Sequence, residues 1–238
     1  MLEGNKFSFD GTVRYSELNC EGSLSIGGMI NYMQDCSTFH SEALGLGVDY
    51  LKKIERAWLL SAYNVDILKP VRHKQKIKIS TWASEFKLIY GDRNFMIEDE
   101  SGPAALARTL WIYVDTKTRR PVKPPQAEID AYGTAPPLEM EPAARKLKTP
   151  DDMIEAEPFR VGKFCRDTNG HMNNSWYVIF SMEFLPADFK IKNMKVVFQK
   201  EVVPGDIVYP FVKLADGKAA VVFKDEKGMT HSTVLFFE

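Results

Sequence analysis

One short stretch concentrates the side chains that carry acid, base and amide chemistry. C-R-D-T-N-G-H-M-N-N, residues 165–174, places Asp167, Asn169 and His171 at alternate positions directly before an apolar helical repeat. A histidine near carboxylate and amide partners can move protons at neutral pH, and a helix N-terminus adds N–H groups that favour a developing oxyanion. A further acid, Glu201, interrupts K-V-V-F-Q-K-E-V-V, an alternating run read as a strand, where an inward carboxylate would hold or charge-tune His171. A plainer reading stands beside this one: Asp167 and Asn169 form an Asx-turn that caps the helix, and His171 is a satisfied core residue. A metal reading is weaker, because Asn is a poor zinc ligand and no second His lies nearby in sequence.

Positioning such a set takes a helix and a sheet, and the chain carries that combination twice. In the first half F-S-F-D-G-T-V-R-Y leads into a polar turn, and Ile26, Met29, Ile30 and Met33 then recur at helical spacing up to a stop at Gly45. Strand-like runs follow in order: W-L-L-S-A-Y-N-V-D-I-L, K-I-K-I-S-T-W, R-N-F-M-I-E-D and A-L-A-R-T-L-W-I-Y-V-D. In the second half F-R-V-G-K-F, a polar turn and a helix through Trp176, Ile179, Phe180 and Glu183 precede four more such runs. E-G-S-L-S (21–25) aligns with N-G-H-M-N (169–173) at an offset of 148, and L-K-P-V-R (68–72) aligns with Q-K-E-V-V (199–203) at an offset of 131. The smaller second offset means a shorter connection from helix to strand in the second half. The copies are chemically unequal: Asn19, Glu21 and Ser23 stand opposite Asp167, Asn169 and His171, and Pro70 stands opposite Glu201.

The pattern gives an α+β fold with a duplicated unit, each a long helix wrapped by an antiparallel sheet. Prolines 121, 124, 125, 136, 137, 142 and 150 mark a break in periodicity, so the expected organisation is a domain over 1–125, a Pro-rich linker over 126–155 and a second domain over 156–238. The 238 residues are 45% hydrophobic and 26% charged, which excludes disordered and collagen-like classes. A net charge of −1 gives no broad attraction for nucleic acid or an anionic membrane, and no uncharged stretch is apolar and long enough to insert into one. Three widely spaced cysteines, Cys20, Cys36 and Cys165, and no apolar leader in M-L-E-G-N-K-F-S-F-D fit reduced thiols and a cytoplasmic location. S-L-S-I-G (23–27) lacks the first glycine of a nucleophile elbow, and Cys165 reads as packing rather than as a thiol nucleophile. Lys69–Lys78 holds five Lys or Arg residues and no acid, and Lys117, Arg119, Arg120 and Lys123 form a second cluster. Each is either a solvated strand face or a dock for an acidic partner.

Taken in order, N-V-D-I-L-K-P, I-K-I-S-T-W, G-D-R-N-F-M-I-E-D, A-R-T-L-W-I-Y-V-D, K-T-R-R-P, D-T-N-G-H-M-N-N-S-W-Y and F-Q-K-E-V-V-P-G-D resemble the acyl-acyl carrier protein thioesterases of fatty acid synthesis. The resemblance implies two tandem hotdog domains and hydrolysis of the thioester between a fatty acyl chain and the phosphopantetheine of acyl carrier protein, with no cofactor of the enzyme's own. It places the catalytic set on Asp167, Asn169, His171 and Glu201. Asp167 and His171 are expected to activate water, with Asn169 orienting substrate or water and Glu201 supporting the His171 charge, or else Asp167 itself attacks to form an anhydride. The family's frequent cysteine after the glutamate is Val202 here, which argues against a Cys nucleophile. The first half is expected to hold the acyl chain, with Met29 and Met33 on its helix and Trp82 on a strand lining a tunnel. Asn173 and Asn174 are expected at the substrate. A homodimer of tandem units is a further expectation, and the competing activities are an acyl-CoA thioesterase, a hotdog dehydratase and a non-catalytic acyl-binding module.

Overall fold

A computed structural model describes residues 1–238. They group into two compact units, Met1–Ser61 with Val65–Ala143, and Ala62–Asn64 with Ala144–Glu238. The first unit contains β1 (Leu2–Glu3), β2 (Lys6–Thr12), α1 (Ile26–Ala43), α2 (Val48–Lys53), β3 (Arg56–Ile67), β4 (Lys76–Lys87), β5 (Tyr90–Asp99), β6 (Gly102–Asp115), β7 (Arg120–Pro121) and α3 (Gln126–Tyr132). The second contains β8 (Ile154–Glu155), β9 (Phe159–Arg160), α4 (Asn174–Met182), β10 (Asn193–Phe198), β11 (Ile207–Ala215), β12 (Lys218–Lys224) and β13 (Thr230–Phe237). Strand order is β1-β2-β4-β5-β6-β3 in the first unit and β10-β13-β12-β11-β8 in the second. Each unit is a hotdog: a helix laid on an antiparallel sheet. No helix is long and apolar enough to cross a membrane.

The first helix follows its sequence signals closely. Ser25 caps α1 by accepting from Gly28 N at 3.1 Å, and Met29, Ile30, Met33, Cys36 and His40 form its buried stripe. Gly45 ends it with φ of 71°, a conformation that costs a residue without Cβ least. The second helix is half as long, 9 residues against 18. That difference, together with the presence of α2 only in the first half, accounts for the shorter offset after it.

Two expected boundaries differ. Residues 126–143, expected to be linker, pack on the first unit. Glu128 and Tyr132 of α3 are buried, and beyond them Trp82 Nε1 donates to Pro136 O at 2.8 Å while Asn94 Oδ1 accepts from Leu138 N at 3.0 Å. Proline-rich backbone keeps its carbonyl acceptors, so side chains of β4 and β5 can fasten a segment that has no periodicity of its own. In the second unit the strand expected through Val203 stops at Phe198. Gln199 and Lys200 both donate backbone N–H to His231 O, and the Val202 carbonyl accepts from Met172 N–H at 2.7 Å instead of from β13. Glu201 therefore lies in the loop between β10 and β11.

The first unit also buries a cation. Arg93 of β5 lies inside the α1 side of the sheet, its Nη1 3.0 Å from His40 Nδ1 and 3.3 Å from Thr81 Oγ1, with the Tyr132 ring beside it. Burial first, and the guanidinium second, push His40 down from 6.5 to about 3. The unfolded chain takes up a proton near 6.5 where the folded one does not, so His40 subtracts stability as pH falls between 6.5 and about 3 and none above that window. The expected slope is about 1.4 kcal/mol per pH unit. Urea midpoints against pH for wild type and His40→Gln check this, and equal slopes in the two proteins would overturn it.

Candidate active site

Asp167, Asn169 and His171 occupy a tight turn ahead of α4. Asp167 Oδ1 accepts from Asn169 N at 2.8 Å and from His171 N at 3.0 Å, and Asp167 N donates to His171 O at 2.8 Å. Gly170 closes the turn with φ of 90°. The first half builds the same turn atom for atom. Asn19 Oδ1 accepts from Glu21 N at 3.1 Å and Ser23 N at 3.0 Å, Asn19 N donates to Ser23 O at 2.7 Å, and Gly22 has φ of 74°. The clasp to the following strand region is also duplicated: Leu24 N donates to Val71 O and Met172 N donates to Val202 O, both at 2.7 Å. The plainer reading of Asp167 as a turn former is thus part of its role. An amide at Asn19 does that work equally, so a carboxylate at 167 exceeds what the turn needs.

The clasp at Val202 sets Glu201 beside the turn. His171 Nε2 lies 3.3 Å from Glu201 Oε2, with the two side chains 31% and 39% exposed. The pair is therefore open to a substrate or water and close enough for a charge-assisted hydrogen bond once the imidazole is protonated. Asn169 is exposed at the tip of the turn, on the same three-residue arc. In the first half the equivalents Ser23 and Pro70 carry neither base nor acid.

The remaining expected residues separate into distinct places. Asn173 caps α4, its Oδ1 accepting from Ser175 N at 2.9 Å and Ser175 Oγ at 3.0 Å, and Asn174 is the first helical residue, half-buried. Met29 and Met33 lie buried on the sheet-facing side of α1. Trp82 does not join them. Ile79 and Thr81 of β4 face α1 along with Phe7 and Arg93, so Trp82, the next residue after Thr81, points to the opposite face with Ser80. There Trp82 is covered by the Lys6 ammonium, 4.2 Å from its ring, and by the chain at Pro136.

The basic runs are less bare than their sequence suggests. Lys69 pairs with Asp99 at 2.6 Å, Lys78 stands across from Asp10 and Glu98, and Lys117 pairs with Glu55 at 2.6 Å. One residue of the site was missed by spacing alone. Tyr177, 3% exposed on α4, is buried in the same cluster as Val202, the residue after Glu201, and the 148-residue offset puts Met29 opposite it. Extending the alignment by six residues past His171 reveals that asymmetry.

With this geometry in place, comparison with known proteins adds the following. Residues 4–132 match the family model described as the acyl-ACP thioesterase N-terminal domain, and residues 148–232 match that of the acyl-ACP thioesterase C-terminal domain. An acyl-[acyl-carrier-protein] hydrolase, chloroplastic, of Cuphea viscosissima is 27% identical over 201 residues, covering 78% of this chain and 48% of the relative. A palmitoyl-acyl carrier protein thioesterase, chloroplastic, of Arabidopsis thaliana is 25% identical over 218 residues, covering 84% and 53%. The chain thus spans about half the length of the curated relatives it matches. Among solved structures, an acyl-ACP thioesterase from Bacteroides thetaiotaomicron superposes with a TM-score of 0.89 at 20% identity, over 98% of this chain and 97% of that one. A 12:0-ACP thioesterase from Umbellularia californica gives 0.87 at 19% identity, over 100% and 98%. At these identities the structural likeness establishes the fold.

Proposed function

The chain belongs to the acyl-ACP thioesterase family, and from that premise we propose that it hydrolyses the thioester of a fatty acyl chain carried on acyl carrier protein, releasing the free acid and the carrier thiol. The observation that carries this reading is the His171–Glu201 pair, 3.3 Å apart and open to solvent beside the Asp167 turn, in one half of the chain only. His171 takes a proton from water as its oxygen attacks the thioester carbonyl, Glu201 supports the charge that His171 gains, and the same proton then goes to the departing thiolate. Asn169 orients substrate or water. The two backbone N–H groups on Asp167 Oδ1 fix its carboxylate and leave its other oxygen to act on water.

A donor for the oxyanion is found by elimination. The N–H groups of Met172, Asn173, Ser175 and Trp176 already have acceptors at Val202 O, Cys165 O, Asn173 Oδ1 and Asn173 O. Asn174 N–H, at the first turn of α4, is the group we assign to the developing charge. The first half holds the acyl chain, with Met29 and Met33 beside it. The exposed Lys74 and Lys76 receive the acidic carrier. Three free cysteines fit a reducing compartment such as the cytoplasm.

Purified protein incubated with carrier-bound and CoA-bound acyl chains of several lengths, with free fatty acid measured, tests the proposal. Faster release from carrier thioesters is the expected result. Preference for CoA thioesters would replace the carrier with CoA as substrate, and no release from any of them would leave an acyl-binding module.

A further inference from the structure

We infer that His231 is a positioning residue that holds the peptide leading into Glu201 and so keeps that carboxylate within reach of His171. This rests on the reading of His171 and Glu201 as the working pair and extends it to a buried side chain of β13.

Glu201 lies where β10 has ended and no ladder fixes it, so its position depends on what holds the residue before it. That residue is Lys200, and His231 grips it at both polar ends. The His231 carbonyl accepts from Lys200 N at 3.1 Å, as it does from Gln199 N at 2.8 Å, and the His231 ring Nδ1 lies 3.3 Å from Lys200 O. A carbonyl can only accept, so the ring nitrogen is the donor. Burial pushes the imidazole below its ordinary range, which leaves one ring proton at neutral pH, and the Lys200 carbonyl places it on Nδ1. His231 is 3% exposed near the start of β13, a strand paired with both β10 and β12, so the donor stands on a rigid element. The carbonyl it holds belongs to the peptide that joins Lys200 to Glu201. A carboxylate carried on a loop needs such a hold, since displacement by about 1 Å from a productive geometry can cost as much as 100-fold in rate.

The duplicated half supplies the contrast. Under the 131-residue offset Leu68, Lys69 and Pro70 stand opposite Gln199, Lys200 and Glu201, and the same frame surrounds them. Leu68 N and Lys69 N donate to Ala104 O at 2.8 and 3.3 Å, and Lys69 pairs with Asp99 at 2.6 Å as Lys200 does with Asp225 at 2.8 Å. Each aspartate also accepts from the backbone N–H two residues on, at Ser101 and Lys227. Two things differ. Where the second half has His231 the first has Ala104, which carries no side-chain donor, and where it has Glu201 the first has Pro70. The frame stands without an imidazole, so the ring hydrogen bond exceeds what the fold requires, and it occurs in the half that carries the acid.

The test is a double-mutant cycle on the whole chain, with carrier-bound acyl substrate. His231→Leu removes the donor and keeps the space filled, and it is expected to lower kcat about tenfold with KM within about twofold. His231→Asn, whose amide nitrogen can donate from nearly the same place as Nδ1, is expected to bring kcat back to within about threefold of wild type. Placed on Glu201→Gln, His231→Leu is expected to alter kcat by less than about twofold, because there is no carboxylate left to position. Nitrogen NMR of the wild-type protein is expected to show His231 neutral and protonated on Nδ1. His231→Ala, which copies the first half, serves as a second variant should leucine fail to fold. An Nε2-protonated ring, an equal loss in both backgrounds, a loss carried by KM, no recovery with asparagine, or a wild-type rate for His231→Leu while Glu201→Gln is impaired overturns the inference and leaves the His171–Glu201 reading intact. A wild-type rate for Glu201→Gln overturns both.

Discussion

Replacing His171 by alanine is expected to lower kcat for carrier-bound acyl substrate by about 1000-fold while the fold and the KM stay near those of wild type. The size follows from its position. The imidazole is the group assigned to take a proton from water and return it to the thiolate, and Glu201 at 3.3 Å can offset its charge only after it has accepted one. The fold should tolerate the change because the hydrogen bonds that shape the turn at 171 are made by backbone N–H and C=O, and the side chain is 31% exposed. Ser23 shows the same backbone arrangement with a small side chain. The check is free fatty acid release under saturating substrate, with thermal unfolding measured on the same preparation. Loss of less than about tenfold would remove His171 from the proton-transfer role.

The duplication, its turns and the unequal chemistry of the two halves were legible in the sequence, because each rests on local pattern. Helical spacing ran from Ile26 to Met33, glycine stood where φ must be positive, and two offsets brought like with like. The hydrogen bonds at Asn19 and Asp167, and at Val71 and Val202, run in parallel under those same offsets. What escaped was set by contacts distant in sequence. Val202 and Val203 are β-branched residues of the kind that fill β10, so their types do not say that the ladder has ended and that Met172 is the partner. Proline-rich sequence at 121–142 hides how firmly Trp82, Asn94 and Arg108 fasten it, since those anchors lie tens of residues upstream. The meeting of His40 with Arg93 is of the same kind. The face of Trp82 is legible and runs against a place beside Met29 and Met33: it shares the period of two with Lys76, Lys78 and Ser80, which places it with the lysines and away from α1.

The parallel turns also sharpen what Asp167 can be asked. Asp167→Asn is expected to leave stability within about 0.5 kcal/mol of wild type, because Asn19 forms the same two backbone hydrogen bonds with an amide oxygen in the first half. Its rate is expected to fall by about 100-fold, since the amide retains the acceptor on which the turn depends and loses the charge and the second carboxylate oxygen that face water. Asp167→Ala removes the acceptor as well, leaves the Asn169 and His171 N–H groups without it, and is expected to cost about 1 kcal/mol of stability in addition to the rate. Comparing unfolding midpoints and kcat across the three proteins therefore separates the two roles of one side chain. If Asp167→Asn hydrolyses substrate at the wild-type rate, Asp167 is a turn former as Asn19 is, and the activation of water falls to His171 and Glu201 alone.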